Sequence, residues 1–487
     1  MFTALVDMEK ALHAEHDLAH DLKVYIEKEE DRIAKLKKVA KDFEMHSNEA
    51  LRDPERHLSN PLNAFLLVKR FTIDWEKIVD DLIKVNSSGE FMAEADTKTC
   101  NFPVAEDLTG AATALLRLQD TYALPTEKLA RGEIQGIVDS PELSANDCFE
   151  LGRLAYNAGD HYHSILWMNE ALERLNSEDP ETTDRATLYD YYSFSLYSRG
   201  NIRLARNITE QWIKLDPDHA RARSNLKYYD EMLGDEQKRY RGDEGHDMPA
   251  LRNERPLDDY RAGEEFQTYE ALCRGEKTHK YKYEHKLACR YKRHHPIFYI
   301  CPAKEETMYL DPQVNVYHGL MTDSEIAKVK ELAAPKLNRA VVQNPVTGVL
   351  ETAYYRVSKS AWIKDEESPL IERVSVKTEA ISNLTRDTVE ELQVLNYGIG
   401  GHYEPHFDFA RRTEKNSFEE ARGNRIATTI FYMTDVAAGG CTVFPNIGIR
   451  LCPEKGSMAI WYNLLRSTEG DFRTRHGACP VLSGNKW

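Results

Sequence analysis

The chain has 487 residues, room for about three domains at the usual ~100–200 residues each. Acidic residues outnumber basic ones by 80 to 64, and the formal net charge of -16 argues against nucleic acid as the main partner. No run approaches ~18 apolar residues, which excludes a spanning helix, and eight cysteines without a Cys-x-x-Cys make neither a disulfide scaffold nor a zinc ribbon.

The start, Met1-Phe-Thr-Ala-Leu-Val-Asp7, carries a charge early and lacks the apolar core of a signal peptide. The chain is therefore cytosolic, or its numbering begins after a removed leader. Three sequons, at Asn86, Asn207 and Asn383, permit glycans in a secretory compartment.

From Leu5 to Phe43 apolar residues recur in alternating steps of three and four, through Met8, Leu12, Leu22, Ile26, Ile33 and Leu36, with Glu15 and Glu29 as exceptions. That period predicts a helix showing a narrow seam to another helix, in its own domain or in a coiled-coil dimer. Pro61 and the Asn86-Ser-Ser-Gly89 cluster break later helical stretches, leaving a helical domain over residues 1–140.

Residues 141–235 change pattern. Gly159 and Gly200 align as a 41-residue helix–turn–helix repeat, a longer form of the tetratricopeptide repeat of about 34. Tyrosines crowd here: Tyr156, Tyr162, Tyr189, Tyr191, Tyr192, Tyr197, Tyr228 and Tyr229, with Phe194 on the face of Tyr191 and Tyr197. Rings between helices ordinarily fill a core, but each phenol needs a polar partner, which favours a half-wet groove. Its natural occupant is a proline-rich peptide, already extended as polyproline II. Arg221 and Asn225, one helical turn apart, are candidates to bond its backbone.

Residues 236–294 read as a linker. Within it, Lys277 to Arg293 carries seven Lys/Arg against one Glu, with Cys273 just before the run and Cys289 within it, which reads as a solvated loop closed by a disulfide rather than a nucleic-acid patch. From 295 to 487 short β-rich runs dominate: Phe298–Ile300, Leu392–Leu395, Ile426–Tyr432 and Met458–Trp461. Thr322-x-x-Glu325 opens one helix, and the whole predicts a sandwich or barrel.

The chemistry lies in Asn396-Tyr-Gly-Ile-Gly-Gly-His-Tyr-Glu-Pro-His406-Phe-Asp408. On a strand, i and i+2 share a face, so His406 and Asp408 converge. His476 supplies a third donor. Two histidines and a carboxylate on one face leave positions open, the arrangement of non-haem Fe(II) oxygenases. His402-x-Glu404 is a competing pair, but Pro405 bends the strand between the sets and the His406 set is preferred. Lys486, ten residues after His476, is placed to seat the distal carboxylate of 2-oxoglutarate, with Thr428 donating a hydroxyl.

Tyr403-Glu-Pro-His-Phe-Asp-Phe-Ala410, Gly423-Asn-Arg-Ile-Ala-Thr428, Ala438-Gly-Gly-Cys-Thr-Val-Phe-Pro445, Trp461-Tyr-Asn-Leu464 and Thr474-Arg-His-Gly-Ala-Cys-Pro-Val-Leu-Ser-Gly-Asn-Lys-Trp487 resemble the alpha subunits of collagen prolyl 4-hydroxylases. Asp147-Cys-Phe-Glu-Leu-Gly152 and Asn63-Ala-Phe65 extend the resemblance over essentially the whole chain.

The resemblance implies a multidomain α + β protein. Its parts are an N-terminal helical dimerisation region, a TPR-like peptide-binding domain and a C-terminal double-stranded β-helix (jelly-roll) dioxygenase domain. It implies His406, Asp408 and His476 as iron ligands, Lys486 with Thr428 and Tyr397 as the 2-oxoglutarate site, and Tyr156, Tyr191, Phe194, Arg221, Asn225 and Tyr228 as the peptide groove. At Phe194 the family has a tyrosine, so one hydroxyl contact is absent. The implied reaction is hydroxylation of proline in collagen-like X-Pro-Gly peptides, with oxidative decarboxylation of 2-oxoglutarate to succinate. It uses Fe(II), O2 and L-ascorbate. The implied setting is the endoplasmic reticulum lumen, in an α2β2 assembly with protein disulfide isomerase as beta subunit. Cys273 and Cys289 match a family disulfide. The family pattern continues past Trp487 with a strand carrying a cysteine, which leaves Cys479 without its usual partner and the catalytic sheet incomplete. Two rival readings stay open: a 2-oxoglutarate hydroxylase acting on another protein, and an inactive peptide-binding or assembly subunit.

Overall fold

The computed structural model describes residues 30–84, 105–134, 141–234, 255, 259–343, 349–411 and 423–487. Its chain forms two compact units, one of Met1–Leu58 with Leu66–Leu108, the other of Ser59–Phe65 with Thr109–Trp487. Among the described residues no helix is long and apolar enough to cross a membrane.

In the first unit, helix α1 (30–52) shows part of the predicted seam. Leu36 and Phe43 are half-buried, but Ile33 is exposed, and Arg32 and Val39 take the inward positions instead. Arg32 donates to the Leu82 carbonyl at 2.7 Å. The seam positions from Leu5 to Glu29 lie outside the described residues. The expected break near Pro61 is present: the preceding helical run ends at Leu58, Ser59 and Asn60 turn, and Pro61 opens α2 (Pro61–Lys69), where a missing N–H costs nothing.

Helix α3 (Ala105–Thr121), which belongs to the second unit from Thr109 on, precedes five helices of that unit: α4 (Ala145–Asn157), α5 (His161–Leu175), α6 (Arg185–Ser198), α7 (Ile202–Leu215) and α8 (Ala220–Leu233). Local chemistry sets their ends. Ser144 and Asp147 form a reciprocal capping box at the start of α4. The predicted repeat has a common device at its two turns: Gly159 (φ +76°) is followed by the N-cap Asp160, and Gly200 (φ +79°) by the N-cap Asn201. The left-handed glycine ends one helix and the short polar side chain starts the next.

The C-terminal region is built on a pair of five-stranded antiparallel sheets. The major sheet runs β1 (Cys289–Lys292), β2 (Ala303–Leu310), β3 (Gln313–His318), β12 (Met458–Tyr462), β8 (Ala427–Phe431). The minor sheet runs β11 (Ile449–Leu451), β10 (Thr442–Phe444), β13 (His476–Ala478), β7 (His402–His406), β4 (Arg356–Val357). Flanking them are a three-stranded sheet, in which the short strand Asn338–Arg339 pairs with β5 (Lys359–Ile363) and β5 with β6 (Leu392–Asn396), and the pair β9 (Ala438–Gly439) with β14 (Val481–Ser483). Val314, Val316, Phe444, Leu451, Ala459 and Trp461 fill the space between the major and minor sheets. Helices α10 (Asp323–Ala333) and α11 (Pro369–Ser382) pack on β5 and β6, and α9 (Glu264–Cys273) packs behind the minor sheet. The Thr322–Glu325 capping box forms as expected.

Several expectations are corrected. Cys273 does not pair with Cys289: it bonds Cys479, 206 residues away, and Cys289 is a free exposed thiol. Cys441 and Cys452 form a second disulfide. The cause is placement: α9 seats Cys273 against the minor sheet beside Cys479, while Cys289 leaves with β1 at the rim of the major sheet. The region taken as a linker therefore contributes α9 and β1 to the C-terminal fold. Phe298–Ile300 is not a strand, because Pro296 starts a single 3-10 turn. Of the sequons, Asn86 lies outside the described residues, Asn207 sits within α7, and Asn383 is an exposed left-handed residue ending α11.

Candidate active site

β7 and β13 are neighbours, and their register sets His406 directly across from His476. Tyr403 faces Ala478, so β7 carries one residue more than β13 over the same span. In a regular strand Tyr403 and His406 would point to opposite faces. The bulge turns both to one face, where their rings stack at 3.6 Å. Pro405 lies within this irregular stretch, where a missing N–H is tolerated. Asp408 reaches the histidines from a bend beyond the end of β7, so a turn of the chain, not strand alternation, brings it in.

His406 Nε2 stands 3.5 Å from Asp408 Oδ1, and His476 Nε2 stands 3.4 Å from Asp408 Oδ2. All three donor atoms lie within 4.8 Å of one another. His406 Nδ1 donates to the Glu404 carbonyl at 2.8 Å and His476 Nδ1 to the Thr474 carbonyl at 3.0 Å. A carbonyl accepts only, so the proton sits on Nδ1 and each Nε2 lone pair faces the carboxylate. Burial alone would raise the Asp408 pKa; the His476 and His406 imidazoles outweigh it and hold the carboxyl well below its usual range. Burial and the neighbouring His476 hold His406 down as well, toward the neutral form that ligates metal. Two imidazole nitrogens and a carboxylate oxygen turned to one point fit Fe(II).

The support around this set is hydrogen-bonded, and on the His476 side it is apolar. Thr428, on β8, donates to Asp408 Oδ2 at 2.7 Å and accepts from Asn463 at 2.8 Å. Its hydroxyl thus holds the Asp408 carboxylate in place. Trp461 packs edge-on to His476 at 4.7 Å and Phe444 lies 5.5 Å away. The competing pair is elsewhere. His402 is buried with its Nε2 3.9 Å from Glu404, and Glu404 accepts from the Tyr260 hydroxyl at 2.7 Å. Among the described residues it joins no third donor.

Lys486 is 5% exposed, and its ammonium lies 4.9 Å from the centre of the Tyr397 ring. The chain end is held between two strands' extensions: Tyr397 N–H donates to the Lys486 carbonyl and Met433 N–H to the Trp487 carbonyl, each at 2.9 Å. Burial pulls the amine down to about 7. An amine so placed, with no carboxylate beside it among the described residues, gains stability when an anionic ligand arrives. Burial pushes the Tyr397 hydroxyl up to about 12, so it remains a donor.

The tyrosines of the helical module divide into two sets. Tyr162, Tyr189, Tyr192 and Tyr229 are buried, as core filling predicts. Tyr192 donates to Asn169 at 3.1 Å and Tyr189 to Gln211 at 3.2 Å. The others form an open ladder. Tyr191 to Tyr156 is 4.8 Å, Tyr156 to Phe194 5.6 Å, Phe194 to Tyr197 6.1 Å and Tyr197 to Tyr228 5.7 Å. Phe194 is 39% and Tyr228 47% exposed. Arg221 pairs with Asp190 and lies over Trp212, and Asn225 is half-buried on the same helix as Tyr228.

Three family models match the chain. They are described as "Prolyl 4-Hydroxylase alpha-subunit, N-terminal region" over residues 4–136, "Prolyl 4-hydroxylase peptide-substrate-binding domain" over 145–235 and "2OG-Fe(II) oxygenase superfamily" over 392–487. The chain is 43% identical over 493 aligned residues to prolyl 4-hydroxylase subunit alpha-1 of Bos taurus and of Homo sapiens, covering 100% of this chain and 92% of each relative. It is 44% identical to prolyl 4-hydroxylase subunit alpha-2 of Caenorhabditis elegans, covering 100% of this chain and 90% of the relative. The chain belongs to the prolyl 4-hydroxylase alpha-subunit family. Its C-terminal region is a 2-oxoglutarate-dependent Fe(II) oxygenase domain, and its helical module is the family's peptide-substrate-binding domain.

Sequence reasoning about this prolyl 4-hydroxylase alpha chain missed two supporting residues. Asn463, which is fully buried and orients Thr428, had one signal: an amide closing an otherwise apolar β12 run. Tyr403, stacked on His406 beneath the Arg356 guanidinium at 4.9 Å, had none, because its face depends on the bulge.

Proposed function

We propose that the chain is the catalytic alpha subunit of a procollagen-proline 4-dioxygenase, with proline in collagen-like X-Pro-Gly peptides as substrate. The observation that carries this reading is the presence, in one chain, of the His406–Asp408–His476 cluster, a buried amine at Lys486 and an open aromatic ladder in the helical module. His406 and His476 would hold Fe(II) through Nε2 and Asp408 through a carboxylate oxygen. When bound, that metal supplies O2 activation coupled to decarboxylation of 2-oxoglutarate to succinate and CO2.

This chain's residues do the rest. Thr428 and Asn463 fix the Asp408 carboxylate, the Glu404 and Thr474 carbonyls fix the two rings, and Trp461 and Phe444 exclude water from the His476 side. Lys486 seats the distal carboxylate of the cosubstrate, with the Tyr397 phenol beside it. The ladder from Tyr191 to Tyr228 receives a polyproline II strand across its rings, with Arg221 and Asn225 of α8 beside it. Holding a long peptide there raises the concentration of proline at the iron site.

L-Ascorbate, as reductant for iron oxidised in uncoupled turnover, belongs to the same reading. Two disulfides among the described residues support an oxidising compartment, the endoplasmic reticulum lumen. The half-exposed seam of α1 supports self-association, and protein disulfide isomerase is the proposed beta subunit of an α2β2 assembly; co-expression and native mass measurement test it.

The deciding experiment is peptide-stimulated decarboxylation of 2-oxoglutarate with iron-loaded protein. A (Pro-Pro-Gly)-type peptide should yield succinate and hydroxyproline in equal amounts. Stimulation by lysine-bearing peptides instead would replace the substrate assignment, and succinate with neither peptide would leave a different protein hydroxylase. Iron bound without any succinate would leave a peptide-binding subunit.

A further inference from the structure

Between the peptide-binding helices and the iron-bearing strands lies one element that the activity does not use, the C-terminal half of α3. Toward the helical module, Gln119, fully buried, accepts from Trp167 Nε1 at 3.0 Å. Asp120 Oδ1 faces His163 Nε2 at 3.2 Å, and both side chains are buried. His163 and Trp167 are both on α5, which packs against α4 and α6, the helices carrying Tyr156, Tyr191 and Phe194.

Toward the catalytic sheets, Arg117 donates to the Gly400 carbonyl at 3.1 Å, two residues before β7. The Tyr122 hydroxyl donates to the Pro480 carbonyl at 2.5 Å, two residues after β13. Arg274 donates to the Thr121 carbonyl at 3.1 Å, at the end of α9, which is bonded to the strand region through Cys273–Cys479. Asp120 is also tied to α9: its Oδ2 accepts from Arg255 Nε at 3.1 Å, and Arg255 donates to both Glu270 oxygens, at 2.9 and 2.5 Å.

The backbone is as close as the side chains. A Cβ on Gly400 would stand 2.5 Å from the Ala114 Cβ, and one on Gly439 would stand 2.5 Å from the Tyr122 hydroxyl. Both strands that carry iron-ligand histidines are thus gripped near one end by the helix that also grips the groove. The partners are buried or charge-assisted, the kind of contact that opens least often.

We propose that the Ala114–Tyr122 segment, the C-terminal half of α3 with the residue that follows it, is a rigid spacer that fixes the peptide groove against the iron-binding strands, so that an anchored peptide presents proline at a set offset from its anchor. Asp120, Gln119 and Tyr122 are positioning residues in this scheme. The inference rests on the prolyl hydroxylase reading for its consequence but not for its geometry, and two measurements on the full-length chain keep these apart.

The first is a spin-label distance distribution between unnatural labels at the exposed positions Ser198 and Lys359. The wild-type distribution should be narrow and single; a broad or multiple one overturns the proposal. The second uses peptides in which one proline-rich anchor is joined by Gly/Ser linkers of graded length to a single X-Pro-Gly reporter. The spacer predicts kcat/KM peaking at one linker length, about tenfold or more above linkers ten residues longer. An indifferent profile overturns it.

Asp120→Ala combined with Gln119→Ala should broaden the distances and flatten the linker profile through KM for anchored peptides, leaving kcat on the unanchored reporter unchanged. The milder Tyr122→Phe, which deletes one hydrogen bond, should move both readouts the same way and guards against a misfolded double variant. Equal loss on anchored and unanchored peptides would reduce these residues to general stability and overturn the positioning role. A narrow distribution with no turnover of the short reporter would keep the spacer and remove the collagen reading.

Discussion

Each ring nitrogen in the iron cluster is assigned before any metal enters. Because the Glu404 and Thr474 carbonyls take the Nδ1 protons of His406 and His476, both Nε2 lone pairs are left available to a metal, and Thr428 commits one Asp408 oxygen to a hydrogen bond. His476→Ala should abolish iron binding and peptide-coupled turnover together, read by metal content and succinate formation. Thr428→Val should keep the fold yet weaken iron affinity or activity by roughly 10–100-fold, as loss of a ligand-orienting partner does elsewhere. Full activity in either variant would remove the assignment.

Lys486 supplies a prediction with a sign. Burial has drawn its pKa down to about 7, so at pH 8 most of the unliganded protein holds the neutral amine. A carboxylate arriving beside it favours the ammonium, so 2-oxoglutarate binding should take up protons at pH 8 and nearly none at pH 6. Calorimetry in two buffers of different ionisation enthalpy reads the difference. Stability follows the same logic. The folded amine sheds its proton near 7 while the unfolded one keeps it to about 10.4. The Lys486 contribution therefore makes the protein more stable as pH rises between those values.

Among elements, the two interhelical turns and the aromatic ladder behave differently under substitution. Gly159→Ala or Gly200→Ala meets open space but forces a left-handed backbone on an L-residue. Each should cost about 1–2 kcal/mol, visible as a lower denaturation midpoint with turnover intact below it. Tyr191→Ala removes the ring that joins Phe149 to Tyr156, at 5.7 and 4.8 Å. It should weaken proline-rich peptide binding by roughly tenfold, the scale of one buried aromatic contact, without changing kcat on short peptides. Unchanged affinity would place the peptide elsewhere. The elements themselves were legible where signals are local. Gly159 and Gly200 marked the repeat, Thr322 and Glu325 marked α10, and short β-rich runs marked β8 and β12. Phe298–Ile300 failed because three apolar residues carry no period and Pro296 decides the local backbone.

Over the whole molecule, covalent links join regions far apart in sequence. Peptide mapping without reduction should recover Cys273 with Cys479 and Cys441 with Cys452, while Cys289 is alkylated freely. A Cys273–Cys289 peptide would contradict the fold around α9. Cys273→Ser should lower stability by about 2–4 kcal/mol, since the bond closes a loop of some two hundred residues in the unfolded chain.

Residue chemistry by itself determined the donors. His406, Asp408, His476 and Lys486 are types that an iron and dicarboxylate site requires, and tyrosine in excess signals rings that are not all buried. Tertiary structure alone decided the geometry. The extra residue in β7 turns Tyr403 onto His406, the strand register sets Thr428 to hold Asp408 while Lys486 lies beside Tyr397, and α9 chooses the partner of Cys273. Donor identity is a property of single side chains. Facing direction and pairing depend on strand register and on which distant segments pack together, and no local pattern encodes either.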